Sequence, residues 1–127
     1  MIELKFFKPK DIEGSVKITV HKSGKLGFSK GAINLLKLNI NKHCKFATNK
    51  VYENKDEIYL LVNNSEDEFS FKISKAGEYY YIKAKSFLSD LNIDYSDETQ
   101  TIIFDIKEID YQDQKIYKLN KRIVKKR

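Results

Sequence analysis

The chain has 127 residues, 41% of them hydrophobic and 13% aromatic, with a net charge of +6; this suits one compact unit and excludes wholesale disorder. A single cysteine, Cys44, excludes an internal disulfide and fits a reducing cytoplasm, the expected location. No apolar run approaches a membrane span, and the first ten residues lack a secretory core, so no membrane partner is expected.

Residues 1–15 open on the alternation Ile2, Leu4, Phe6, broken by Phe7 before Pro9. This predicts an N-terminal arm or edge strand docked on the body. Residues 16–22 alternate cleanly, with Val16, Ile18 and Val20 on one face and Lys17, Thr19 and His21 on the other. That is the period of a half-buried strand. Ser23-Gly24 signals a two-residue turn. Residues 25–29 return with Leu26 and Phe28 inward, and Ser29 is placed to cap a helix over 30–38. A second hairpin is expected from 43–53 and 57–63 across Asn54, Lys55 and Asp56.

The cycle then recurs. Residues 18–40 lie over 71–93 without a gap, at an offset of 53. Lys22 meets Lys75, Gly24 meets Gly77, Leu35 meets Leu88, and Leu38-Asn39-Ile40 meets Leu91-Asn92-Ile93. Strands are expected at 69–75 and 78–82, a helix at 83–92, and a closing hairpin at 101–110 and 115–120. In the closing hairpin the offset becomes 58, Ile58-Tyr59 falling on Ile116-Tyr117 and Leu61 on Leu119. The expected fold is α+β, mainly β: two hairpin–helix–hairpin repeats, 16–64 and 65–120, in one pseudo-two-fold barrel-like domain. Residues 121–127 would follow as a flexible basic tail.

A hairpin with the return strand Gly24-Lys25-Leu26-Gly27-Phe28-Ser29, a helix ending in Leu38-Asn39-Ile40 and a second hairpin resembles the AbrB/MazE/SpoVT family of swapped-hairpin barrels. The resemblance covers roughly 16–62 and, more weakly, 71–119. It implies interleaved hairpins and a basic DNA-binding face, here as an internal pseudo-dimer. Ser29 stands where that family commonly has a proline, and Glu78 replaces the basic residue of the second unit. The family's DNA-contacting residues therefore do not transfer. The paired segments are also similar to short uncharacterised bacterial and phage proteins, which implies no activity.

Charge is polarised along the chain. Residues 1–50 carry 11 lysines against 3 acids, 51–120 carry 15 acids against 8 lysines, and 121–127 hold five basic residues. Lys17, Lys22, Lys25 and Lys30 fall on or beside the outer face of the first hairpin, with Lys121, Arg122, Lys125, Lys126 and Arg127 in the tail. A lysine-rich ribbon tracks phosphate, and the scarcity of arginine argues for non-specific contact with nucleic acid; a solvated face remains the alternative for such a charge run. Of Tyr79, Tyr80 and Tyr81, alignment with Leu26 and Phe28 leaves only Tyr80 outward, for stacking or for packing. Adjacent His43 and Cys44 face opposite sides of a strand and make no metal site, so neither metal nor cofactor is expected. Acid pairs such as Asp97-Glu98 and Asp56-Glu57 read as loop tips, and no catalytic motif appears. The expectation is a non-catalytic nucleic-acid-binding protein; the alternative is an assembly module whose acidic second repeat meets a protein partner.

Overall fold

The computed structural model describes residues 1–7, 15–49 and 57–125. Its first strand, β1 (Lys17–Val20), turns Ile18 and Val20 inward. The chain reverses at His21–Gly24, where the Gly24 N–H donates to the His21 carbonyl at 2.9 Å and Gly24 has φ +81°. His21 N–H in turn donates to the Lys25 carbonyl. The turn is thus Lys22-Ser23-Gly24 with a glycine bulge, one residue longer than expected.

β2 (Lys25–Phe28) returns with Leu26 and Phe28 buried, and Ser29 begins α1 (Lys30–Leu36). The Ser29 hydroxyl accepts from Ala32 N–H at 3.2 Å and Lys17 N–H at 3.0 Å, and donates to the Ser15 carbonyl at 2.6 Å. One side chain therefore caps the helix and pins its start to β1. The helix stops short of the expected 38 because Lys37 is left-handed, φ +52°, and Leu38 N–H bonds back to the Ile33 carbonyl. This closing turn drops Leu38 into the core.

β3 (His43–Thr48) and β4 (Ile58–Asn63) pair from His43–Asn63 to Thr48–Ile58. Residues 50–53 of the expected strand and the Asn54–Asp56 loop lie outside the described residues. The strand expected at 69–75 divides in two. β5 (Phe71–Lys72) pairs with β3, while β6 (Ser74–Ala76) pairs with β7 (Tyr79–Lys83). Between them buried Ile73 donates its N–H to the Lys42 carbonyl, and the strand changes neighbours there. Gly77, φ +63°, then opens a two-residue turn with Glu78.

α2 (Lys85–Asp90) is shorter than expected and has no side-chain cap; Ala84 N–H instead donates to the Gly24 carbonyl at 2.9 Å. Its Phe87 stacks on Phe46 at 4.0 Å between centroids, with Phe71 edge-on to both. β8 (Gln100–Tyr111) and β9 (Gln114–Lys125) form a hairpin across Gln112 and Asp113, both at positive φ.

Pairing order is β5-β3-β4-β9-β8-β1-β2-β7-β6. Its two ends are pieces of one strand either side of Ile73, so the mostly β sheet is a nearly closed barrel. Inside, Ile18 faces Phe28 and Phe104, Leu26 faces Val20 and Ile82, and Leu60 faces Phe46 and Tyr117. These belong to a single core with Leu36, Leu38, Ile73 and Leu88, against which Leu35 and Leu91 are partly buried.

Three expectations need correction. Residues 1–7 form no strand, and Ile2, Leu4, Phe6 and Phe7 stand in solvent rather than docked; residues 8–14 lie outside the described residues. Lys121, Arg122 and Lys125 are not in a flexible tail, because β9 runs through them, paired to β8 from Phe104–Lys121 to Gln100–Lys125. Apolar Ile102 and Phe104 alternate on β8 there and need a neighbouring strand, which outweighs the polar composition of the segment. Lys126 and Arg127 lie outside the described residues. Finally, Tyr80 is buried while Tyr79 is 40% exposed, the reverse of the expected orientation.

Candidate functional site

Strand pairing puts directly opposite residues on one side of a sheet. Outside the barrel, Lys25 of β2 therefore faces Lys83 of β7, and Gly27 lies between Thr19 of β1 and Tyr81 of β7. Tyr79 and Tyr81, two apart on β7, share this outer face and lie near-parallel, 19° between planes and 5.8 Å between centroids. Tyr79 reaches over Gly27, and its hydroxyl meets His21 Nε2 at 2.6 Å. A Cβ on Gly27 would run into that hydroxyl and come within 2.6 Å of His21 Nε2. Glycine is needed there for space, since only its missing side chain lets the two rings meet across β2.

The flank is cationic. Lys25 Nζ stands 4.7 Å from the Tyr81 ring centroid, a cation–π distance. Lys83 lies opposite it, and the Lys85 side chain covers Gly24. Together they line a cleft of about 500 Å³ with Ser23, Gly24 and Ser86. Among the described residues no carboxylate is ion-paired with Lys25, Lys83 or Lys85. Burial, and secondarily the Lys25 charge, hold His21 below its ordinary pKa, which favours the neutral ring. Burial also raises the Tyr79 hydroxyl, keeping it protonated.

The residues expected to bind are dispersed around this site rather than gathered in it. Lys25 lies within it. Lys22, in the turn, pairs with Glu98 at 3.6 Å. Lys17 lies opposite Asp105, whose carboxylate takes a 2.6 Å bond from Arg122 Nε. Lys30 is exposed at the start of α1, and Lys121 and Lys125 are exposed on β9. The lengthwise charge polarity is matched once the chain folds: Lys45 of the basic half binds Asp67, and His43 lies 3.9 Å from Glu66. Lys45 and the Phe69 N–H hold Asp67 below the usual carboxylate range.

Cys44 is fully buried, and burial pushes its thiol up to about 12, so it is chemically quiet. Among the described residues no group of three or more His, Cys, Asp or Glu side chains is placed to hold a metal ion, and no helix is long and apolar enough to cross a membrane.

Lys83, Lys85, His21, Gly27 and the outward Tyr79 and Tyr81 were missed as a group by the sequence reading. The signal was present in 79–85, YYYIKAK, where Tyr80, Ile82 and Ala84 alternate against Tyr79, Tyr81, Lys83 and Lys85. Ile82 and Ala84 are its least polar pair and set the inner face. Compared with known proteins, the chain matches no family model, no curated protein and no solved structure.

Proposed function

We propose that this is a small non-catalytic nucleic-acid-binding protein that holds phosphates on its outer barrel face. The observation that carries the reading is the Lys25–Lys83 pair, with Lys85 beside it and, among the described residues, no acid ion-paired with the three. Like charges directly opposite on neighbouring strands destabilise a sheet, and a bound polyanion relieves that repulsion. Lys17, Lys22, Lys30, Lys121, Arg122 and Lys125 extend the positive field around this centre, several of them partly offset by their acidic partners.

We also read the barrel as an internal duplication similar to the AbrB/MazE/SpoVT swapped-hairpin arrangement. Strand order supports this. Exchanging β1, β2, β3 and β4 with β5/β6, β7, β8 and β9 maps the cyclic order onto itself. Correspondence is not residue by residue, since the two helix caps, Ser29 and Ala84, lie 55 apart and not 53.

Lysine is a hydrated point charge suited to phosphate, so binding is expected to tolerate sequence changes and to weaken with salt. On duplex DNA, log K should fall by about 0.9 per log unit of salt for each phosphate neutralised. The test is a salt titration of the intact chain against Lys25→Glu/Lys83→Glu. The double variant should bind far more weakly and with a shallower slope. A slope near zero for the intact chain, or unchanged binding in the variant, counts against the reading. Truncation at residue 120 is a poor substitute, because it removes residues 121–125, five of the twelve in β9.

A further inference from the structure

We propose that the tyrosine face beside the lysine cleft takes an unpaired base, so that the protein prefers single-stranded to double-stranded nucleic acid. The inference rests on the phosphate-binding reading above and adds what that reading lacks, a place for the base. Tyr79 and Tyr81 offer two near-parallel rings on an open sheet face, and Gly27 keeps any side chain from rising between β7 and β1. His21 braces the far end of Tyr79, edge-on at 6.1 Å and bonded through its Nε2.

Neither of these two outward tyrosines fills the core, which Tyr80 and Ile82 supply from the same strand. Aromatic rings on a sheet face receive bases because every base has a π-face, whatever its sequence. A base inside a duplex has both faces already stacked and cannot use such a platform. The cleft of Lys25, Lys83, Lys85, Ser23 and Ser86 adjoins the rings, with Lys25 bridging the two through its contact with Tyr81. A nucleotide laid across this boundary places its base on the tyrosines and its phosphate among three cations and two hydroxyls.

The experiment is fluorescence anisotropy of the full chain with labelled dT15, labelled rU15 and a 15-base-pair duplex of mixed sequence. The intact protein should bind at least one single strand tighter than the duplex; the two single-strand arms separate a DNA from an RNA preference. Tyr79→Ala should weaken single-strand binding by roughly 5- to 150-fold, the usual range for one lost stacking contact, and leave duplex binding within about twofold. Tyr79→Phe keeps the ring and should retain most of the affinity.

Since the chain has eight tyrosines and no tryptophan, a second readout does not depend on the alanine variant folding. Tyrosine emission should be quenched on adding dT15 or rU15, and less so in the Tyr79→Phe/Tyr81→Phe double variant, which keeps both rings. Equal affinity for strand and duplex, or an equal loss on both in Tyr79→Ala, overturns this inference alone. Absence of binding to any of the three probes overturns the phosphate-binding reading with it.

Discussion

The hairpins β1–β2 and β6–β7 align in sequence through Lys22 with Lys75 and Gly24 with Gly77, and differ in geometry. In the first, Ile18 pairs with Phe28 and Val20 with Leu26 around a three-residue turn. In the second, the equivalents of Ile18 and Val20 are Phe71 and Ile73, yet it is Ser74 and Ala76 that pair with Tyr81 and Tyr79 around a two-residue turn. One residue fewer in the turn inverts the return strand, because side chains alternate with a period of two. Leu26 and Phe28 therefore point in, whereas the aligned Tyr79 and Tyr81 point out. The difference in register leaves one pair of apolar residues in the core and sets the other, a pair of aromatics, on the surface beside three lysines.

Core truncation should break the comparison most clearly. Ile82→Ala removes a fully buried side chain opposite Leu26 and should cost about 2–5 kcal/mol in denaturant unfolding. Tyr81→Ala, one residue away, should cost about 1 kcal/mol or less. If the two variants lost equal stability, the assignment of inner and outer faces would be wrong.

The two turn glycines differ next. Gly24→Ala meets a left-handed backbone and the Lys85 side chain lying over it, whereas Gly77→Ala meets the same backbone problem in open space. Both should lose about 1–2 kcal/mol from the backbone alone. Gly24→Ala should lose the more, and only it should disturb the start of α2, which hangs on the Gly24 carbonyl.

Gly27→Ala tests the close approach. The new methyl should part His21 from Tyr79 at a cost of about 1 kcal/mol, with little effect in a Tyr79→Ala background. A double-mutant cycle by thermal unfolding reads the coupling, and additive losses would deny that Gly27 serves this pair.

The smallest effect is protonation. His21 in the fold has a pKa below its unfolded value of 6.5, so the unfolded chain takes up the proton first. The contribution of the neutral ring to stability is complete above that value and is lost as pH falls through the lower, folded one. Wild-type protein should therefore lose slightly more stability than His21→Asn between pH 8 and pH 5. A wild type that gained stability relative to the variant on acidification would reverse the sign.

The sequence revealed the first half of the molecule better than the second. Val16, Ile18 and Val20 alternate against Lys17, Thr19 and His21, and Gly24 and Ser29 each have a stereochemical reason for their positions; the structure has β1, β2 and the α1 cap there. In the second half, ungapped alignment assumed that matching glycines imply matching turns. Nothing local marks the break at Ile73, because the strand changes partner to reach β3, 27 residues earlier in the chain by the Cys44–Phe71 pairing. Ile102 and Phe104 likewise recruit residues 121–125 into β9 through pairing that composition does not register. The site was half legible: Lys25 was picked out, while Lys83 and Lys85 sat in a segment judged acidic on average.

The position of β9 bears on how the chain reaches this state. It is the last described strand in sequence, yet it lies in the middle of the pairing order, between β4 and β8. Until it is placed, β4 and β8 each present a bare edge, and no local hairpin can close the barrel. Loop closure must be paid before the sheet rewards it, which is the regime of slow, millisecond-to-second folding. A chain emerging from the ribosome would hold these edges open until β9 arrived, and during that interval it would be most prone to pair with its neighbours.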